Sequence, residues 1–288
     1  MTVIQLLVNS LTLGAIYALV ALGLVLVFKS SDLVNFGAGD WVLAGAYIAL
    51  ALLTAGLPLY LVLILAPLGG ALMGLVIDRA VFRRIMSASP WTFVVASLAV
   101  GGLLRELAVL RYQSNHFPFP PVLSRDPVEV LGVRITPQNL WVLGATVVVV
   151  TALLLFFRYT TYGRALEAVA QNRVGAQIVG INLSRALMVT WALAGAVSAV
   201  AAVLIAPSTD VSPEIGLLLV KGFVAAALGG LDSLEGAVMG GVAVAAIETF
   251  TQVYLNQAAV DVVVYGLLLV VMWVRPAGLL GRRVVRRV

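Results

Sequence analysis

The sequence predicts an all-α fold: a polytopic transmembrane helical bundle of about eight or nine spans, forming one transmembrane domain over residues 1–288. Three observations predict it. Of 288 residues, 62% are hydrophobic and only 11% are charged, whereas soluble domains carry about a quarter charged residues. The apolar residues fall in runs of about twenty, the length that crosses a bilayer core of roughly 30 Å. Most of the basic residues collect between those runs, where they set topology.

The runs cover residues 5–28, 36–55, 58–77, 91–110, 138–157, 186–206, 215–230, 236–255 and 259–274. The first carries no basic leader or small-residue cleavage site and is expected to be a retained helix. On it Asn9 and Thr12 share a face, with Tyr17 offset from them, while Gly14 and Gly23 permit close helix approach. Pro58, Pro90 and Pro137 stand near helix starts, where a missing backbone N–H is tolerated. Gly70 with Gly74, and Gly236 with Gly240, have the small-xxx-small spacing of packed helices. Residues 229–236 hardly interrupt the apolar pattern, and no internal sequence repeat is evident.

Ionisable residues inside spans are expensive and normally face a polar interior, which singles out Arg105, Glu106, Lys221 and Glu248. Glu248 lies mid-span with Thr251 and Gln252 at i+3 and i+4, one polar face expected to turn into the bundle. It either lines a pathway or forms an interhelical ion pair, with Lys221 as the candidate partner.

Threading nine spans puts Lys29, Arg79, Arg83, Arg84, Arg158, Arg164, Arg173, Arg185, Arg275, Arg282, Arg283, Arg286 and Arg287 on one side, which becomes the cytoplasm. Opposite loops hold Arg111, Arg125 and Arg134 against Asp126, Glu129, Asp210 and Glu214. The N-terminus is then outside and the C-terminus inside. The external loop, about 112–136, contains FPFPP and DPVEVLGV and is expected to form an ordered extended cap. The internal loop, about 158–185, places Ala165, Val169, Ala176 and Val179 at helical spacing between polar positions. That pattern fits an amphipathic helix docked into a partner's groove, or one lying on the membrane surface.

Several chemistries are excluded. There are no cysteines, hence no disulfide, thiolate nucleophile or cysteine-bound metal. The net charge of +5 is spent on topology, not on nucleic acid. Gly23 followed by Phe28, Lys29 and Ser30 lacks the second glycine of a phosphate loop, and Gly37-Ala38-Gly39 fails as a dinucleotide fingerprint because position 42 is valine. Gly37 to Asp40 does spell the GxGD of intramembrane aspartyl proteases. However, none of Asp32, Asp78, Asp126, Asp210, Asp232 or Asp261 follows a tyrosine to supply the second aspartate. The sole histidine, His116, sits in the external loop.

Four stretches resemble the LivH-type permeases of branched-chain amino acid ABC importers, a family that also includes urea and short-amide permeases. They are LTLGAIYALVALGLVLVF, DLVNFGAGDWVLAGAY, GRALEAVAQNRVGAQIVGIN and WVRPAGLLGRR, spread from residue 11 to about 283. Two departures stand out. Where the family usually has Ala-His-Gly after Asn-Phe, this chain has Gly37, Ala38 and Gly39, so an imidazole is missing from a segment expected near the pathway. Asp232 and Glu235 replace residues that are more often small or proline.

The resemblance implies a multi-pass subunit of a prokaryotic cytoplasmic (inner) membrane working by alternating access. Its partners would be a homologous permease subunit, two ATP-binding subunits and an extracytoplasmic solute-binding protein. This chain would be no enzyme and bind no cofactor, with ATP held on the partner subunits. A branched-chain amino acid is the expected solute, with urea or a short amide as the alternative within the family. An ion-coupled secondary transporter is the alternative from another class, and it would need ion-coordinating carboxylates at broken helices. The expected pathway residues are Asn9, Thr12, Tyr17, Asn35, Glu248, Thr251 and Gln252. The expected ATPase-coupling residues are Arg164, Glu167, Asn172, Arg173 and Gly180.

Overall fold

The computed structural model describes residues 3–86, 88–130 and 133–281. Each of the nine apolar runs is helical. In chain order the helices are α1 (Val3–Ser31), α2 (Ala38–Thr54), α3 (Leu59–Ile77), α4 (Arg83–Ile85), α5 (Pro90–Tyr112), α6 (Pro137–Tyr159), α7 (Thr161–Gln171), α8 (Arg173–Ile178), α9 (Leu183–Thr209), α10 (Leu218–Gly229), α11 (Leu234–Tyr254) and α12 (Ala259–Val274). A π turn, Asp78–Phe82, joins α3 to α4, and a 3₁₀ turn, Pro213–Leu217, leads into α10.

Among the described residues, six helices are long and apolar enough to cross a membrane: Val3–Ser31, Leu59–Ile85, Pro90–Tyr112, Pro137–Tyr159, Leu183–Thr209 and Leu234–Tyr254. The expected eight or nine full-length spans are not all of crossing length. The runs at 36–55, 215–230 and 259–274 form helices of only 17, 12 and 16 residues. Each is shortened for a visible reason. Residues 32–37 are non-helical ahead of α2, the 3₁₀ turn takes up the start of the α10 run, and α12 stops at Arg275 and Pro276.

Helices α1 and α9 form the centre. The apolar stretch of α1 is 78% buried and that of α9 is 67%, against 22% for both α3 and α6. Helix α1 lies against α9, α10, α11, α6 and α7, and α3 lies along α9. Backbones approach closely where the glycines stand. A Cβ on Gly70 would strike the carbonyl of Gly195, and one on Gly240 that of Ala225, so the small-xxx-small pairs are packing surfaces.

The two ends of the bundle can be told apart by their contacts. At one end Lys29 meets Glu167, Arg83 reaches the carbonyl of Ser184, and the backbone N–H groups of Leu279 and Leu280 donate to Leu228 and Gly229. Arg282, Arg283, Arg286 and Arg287 lie outside the described residues. At the opposite end Phe117 bridges to Val211, Arg125 donates to the carbonyls of Phe119 and Pro207, and Gln138 accepts from the N–H groups of Val122 and Leu123. These contacts hold the described part of the loop against the bundle, and its strands correct the all-α expectation. Residues Val128–Val130 (β1) and Val133–Ile135 (β2) pair as an antiparallel hairpin, with Glu129 opposite Arg134. Opposite charges directly across two strands favour that register.

Candidate functional site

Charged side chains meet among the apolar helices where α1, α10, α11 and α12 come together, with Lys221 and Glu248 largely enclosed and Asp261 65% exposed. The Tyr17 side chain is almost fully enclosed, and its hydroxyl donates to Glu248 Oε2 at 2.9 Å. Lys221 Nζ lies 3.6 Å from the same oxygen and 2.7 Å from Asp261 Oδ1, with the Tyr265 ring 5.7 Å away. One ammonium therefore serves two carboxylates, and the phenol takes up an acceptor site on Glu248. Mutual pairing of this kind is what allows ionised groups to persist among apolar helices, because each left alone would bear its full desolvation penalty.

The polar face predicted on α11 is split. Glu248 and Thr251 turn inward, Thr251 being buried, whereas Gln252 is exposed. Glu248 stands at the border of the buried face, with its Thr251 flank toward the bundle and its Gln252 flank away from it. Asn9 and Thr12 are half-buried on the first half of α1. The Thr12 hydroxyl returns to the carbonyl of Val8 at 3.0 Å, and the Asn9 side chain makes no hydrogen bond among the described residues. Only Tyr17 of the three joins Glu248.

A second polar feature lies where α2 begins. Past Asp32, whose N–H still donates to the carbonyl of Phe28, residues 33–37 run without helix into the interior, since Gly37 packs against Ser97 and Gly101, midway along α5. Irregular backbone at depth must find other partners. Asn35, itself buried, accepts from the N–H of Gly37 at 3.1 Å, and the Ser97 hydroxyl accepts from the N–H of Phe36 at 3.2 Å. One turn into α2, Asp40 Oδ1 receives Arg105 Nε at 2.8 Å and Nη2 at 2.7 Å. Asp40 thus faces an arginine and not a second carboxylate, which leaves a shared-proton protease dyad without its other half.

At the basic end the loop over about 158–185 folds as an elbow, not as one amphipathic helix. The Asn172 backbone turns extended, ending α7, and its side chain caps α8 by accepting from the N–H of Gly175 at 2.8 Å. The break sends the apolar positions to different sides. Leu166, Val169 and Ala176 are buried, while Val174, Ile178 and Val179 are 66%, 79% and 75% exposed. Gly180 closes α8 in the left-handed region at φ +87°, a conformation glycine adopts without penalty. Glu167 reaches Lys29 at 3.9 Å, and Arg173 reaches Asp32 at 3.7 Å and the carbonyl of Ser30 at 3.1 Å, which ties the elbow to the end of α1. Arg164 is exposed.

Two residues of these clusters escape sequence reasoning. Asp261 reads as the first-turn acid of an apolar run, and Asp40 reads only as part of a protease-like tetrad. A lone acid inside each run was the available signal.

Comparison with known proteins places the chain. Residues 6–273 match the family described as branched-chain amino acid transport system, permease component. The chain is 30% identical to the high-affinity branched-chain amino acid transport system permease protein LivH of Escherichia coli K12, covering 99% of this chain and 97% of that one. It is 31% identical to the corresponding protein BraD of Pseudomonas aeruginosa, covering 99% and 98%. It is 29% identical to a probable LivH of Methanocaldococcus jannaschii, covering 91% and 88%. No solved structure gives a significant match.

Proposed function

The chain belongs to the family of permease components of branched-chain amino acid transport systems, and on that premise we propose that it translocates a branched-chain amino acid as one subunit of an ATP-driven importer. The observation that carries this reading is the cluster of Tyr17, Lys221, Glu248 and Asp261, a paired polar centre shared by four helices of an otherwise apolar bundle. A rigid membrane scaffold has no need of ionised groups at that depth, whereas a pathway for a zwitterion does. Glu248 and Tyr17 line the pathway. Asn35 shapes the entry of α2, and Asn9, Thr12, Thr251 and Gln252 flank the route.

Energy enters at the other end. The chain carries no phosphate-binding loop, so ATP is bound and hydrolysed by two partner subunits. The exposed apolar tip of Val174, Ile178 and Val179 docks on one of them, and Arg164, Glu167, Asn172, Arg173 and Gly180 hold the elbow at its working angle. The basic end faces the cytoplasm and the N-terminus lies outside. A second, homologous permease completes the pathway, and an extracytoplasmic binding protein delivers the solute to the hairpin-capped end.

Proteoliposomes test this reading. Leucine uptake is expected only when this chain is reconstituted with a partner permease, both ATPases, binding protein and ATP. Accumulation by the chain alone under an imposed proton or sodium gradient would instead establish an ion-coupled secondary transporter.

A further inference from the structure

The junction of α3 with α4 fixes an arginine in place. The chain there takes a π turn, Asp78–Phe82, a rare form that recurs at functional sites. Asp78 is 1% exposed and accepts from Arg83 Nη2 at 3.1 Å, while the same nitrogen reaches the carbonyl of Ser184 at 3.4 Å. Phe82 stacks on Trp191 of α9 at 4.1 Å, its ring within 1° of parallel, which pins the turn to the start of that helix. An arginine that serves only topology reaches freely toward headgroups, whereas this one is anchored from within. Its Nε and Nη1 donate to nothing among the described residues, and its side chain stays 33% exposed.

Beside Arg83 lies a cavity of about 380 Å³, between α4 and the turn from α8 to α9, with Arg83, Gln177, Asn182 and Ser184 as the polar part of its lining. Donors prevail there. The Asn182 side-chain oxygen is already taken by the N–H of Arg185, and the Ser184 carbonyl by Arg83. Arg79, Arg84 and Arg185 directly follow Asp78, Arg83 and Ser184 in sequence, stand exposed and form no ion pair among the described residues. Four arginines against one enclosed acid leave the patch positive. Its wall continues into the exposed apolar tip, since Gln177 directly precedes Ile178 and Val179.

We propose that this cavity is the polar half of the ATPase docking surface: it receives an acidic side chain of the ATPase, whose carboxylate pairs with Arg83, while Ile178 and Val179 supply the apolar half. A fixed guanidinium in a small cavity matches one carboxylate, with the strength of a charge-assisted bond. The exposed arginines around it draw an acidic protein surface toward the same spot and orient it. This assignment rests on the importer reading above.

The assembled complex of this chain with its partner permease and both ATPases tests it. The chain has only two lysines, Lys29 and Lys221, so Arg83→Lys places an amine in the cavity against a low background. A carbodiimide, which joins a carboxylate to an amine in contact with it, is expected to link position 83 to an aspartate or glutamate of an ATPase, read by mass spectrometry. Gln177→Glu adds a competing carboxylate to the lining and is expected to cut ATPase retention on co-purification about tenfold. Gln177→Lys is expected to hold the ATPase at higher salt than the wild type does, and the opposite signs separate charge from a merely disturbed contact. The two Gln177 variants decide the matter if Arg83→Lys fails to assemble. An assembled Arg83→Lys complex with no link to an ATPase would overturn the proposal, as would wild-type retention in Gln177→Glu. Retention that follows only the anionic phospholipid content of the preparation would assign the patch to headgroups and overturn it too. A wild-type chain that binds no ATPase would overturn the importer reading itself, a result separable from these.

Discussion

The ion pair of Lys221 with Glu248 inside the bundle and that of Lys29 with Glu167 at its basic end use the same chemistry at nearly the same separation, 3.6 and 3.9 Å. Their surroundings set them apart. Lys221 and Glu248 keep only 16% and 15% of their side chains accessible and share a third charge, Asp261, and a buried phenol, Tyr17. Lys29 is as enclosed as Lys221, at 17%, but its partner Glu167 is 38% exposed and bonds across the outside of an elbow. In low-dielectric surroundings the loss of one partner leaves a bare charge, whereas at a wet surface water replaces the partner. The cation Lys221 is thus a condition of folding in one region, whereas the contact at the elbow adjusts an angle. The elbow's working surface is not its charges but its exposed apolar tip.

That contrast can be broken most sharply at Lys221. Lys221→Met leaves the enclosed Glu248 without a cation, and we expect destabilisation of about 3–5 kcal/mol. It should appear as a marked fall in thermal stability of the purified chain in detergent. Glu248→Gln comes next. The amide oxygen still accepts from Tyr17, so assembly should be normal while leucine uptake falls about tenfold, the charge-assisted contact being lost. Poor assembly instead would mean that the pair only holds helices together.

At the elbow, Ile178→Asp should alter the chain's own stability by less than about 0.5 kcal/mol, because the residue is 79% exposed. It should also weaken attachment of the ATPase about tenfold, as loss of a central apolar contact does at an interface. Co-purification of the ATPase measures this. Smallest of all, Glu167→Gln should cost less than about 1 kcal/mol and leave uptake within about twofold of wild type. A large stability loss at Glu167 would erase the distinction between the two regions.

Local pattern explains how much of this was legible beforehand. Nine apolar runs announce nine helices, and the spacing of Gly70 with Gly74 and of Gly236 with Gly240 announces tight contacts, because both signals are carried by neighbours in sequence. Glu248 and Lys221 were recognisable as partners because charges at depth are rare and must pair. Other features depend on segments far apart in the chain. Lys221 and Asp261 are 40 residues apart, and Arg105 and Asp40 are 65 apart, so no periodicity connects them. Gln252 stands exposed while Thr251 is buried, a split that spacing cannot foretell because it gives angles between side chains but not which angle faces the bundle. The break at Asn172 was missed because a single capping residue outweighs a continuous apolar pattern once its side chain finds the N–H of Gly175.

The claim that force from ATP hydrolysis reaches this chain through the α7–α8 elbow has a direct test. The chain contains no cysteine, so a single Ile178→Cys substitution provides one thiol without background. In sealed vesicles of known orientation holding the assembled complex, that thiol is predicted to react with an impermeant maleimide from the cytoplasmic side only, and to crosslink to an ATPase subunit. Labelling from the opposite face, or cytoplasmic labelling with no crosslink to the ATPase in the assembled complex, would contradict it.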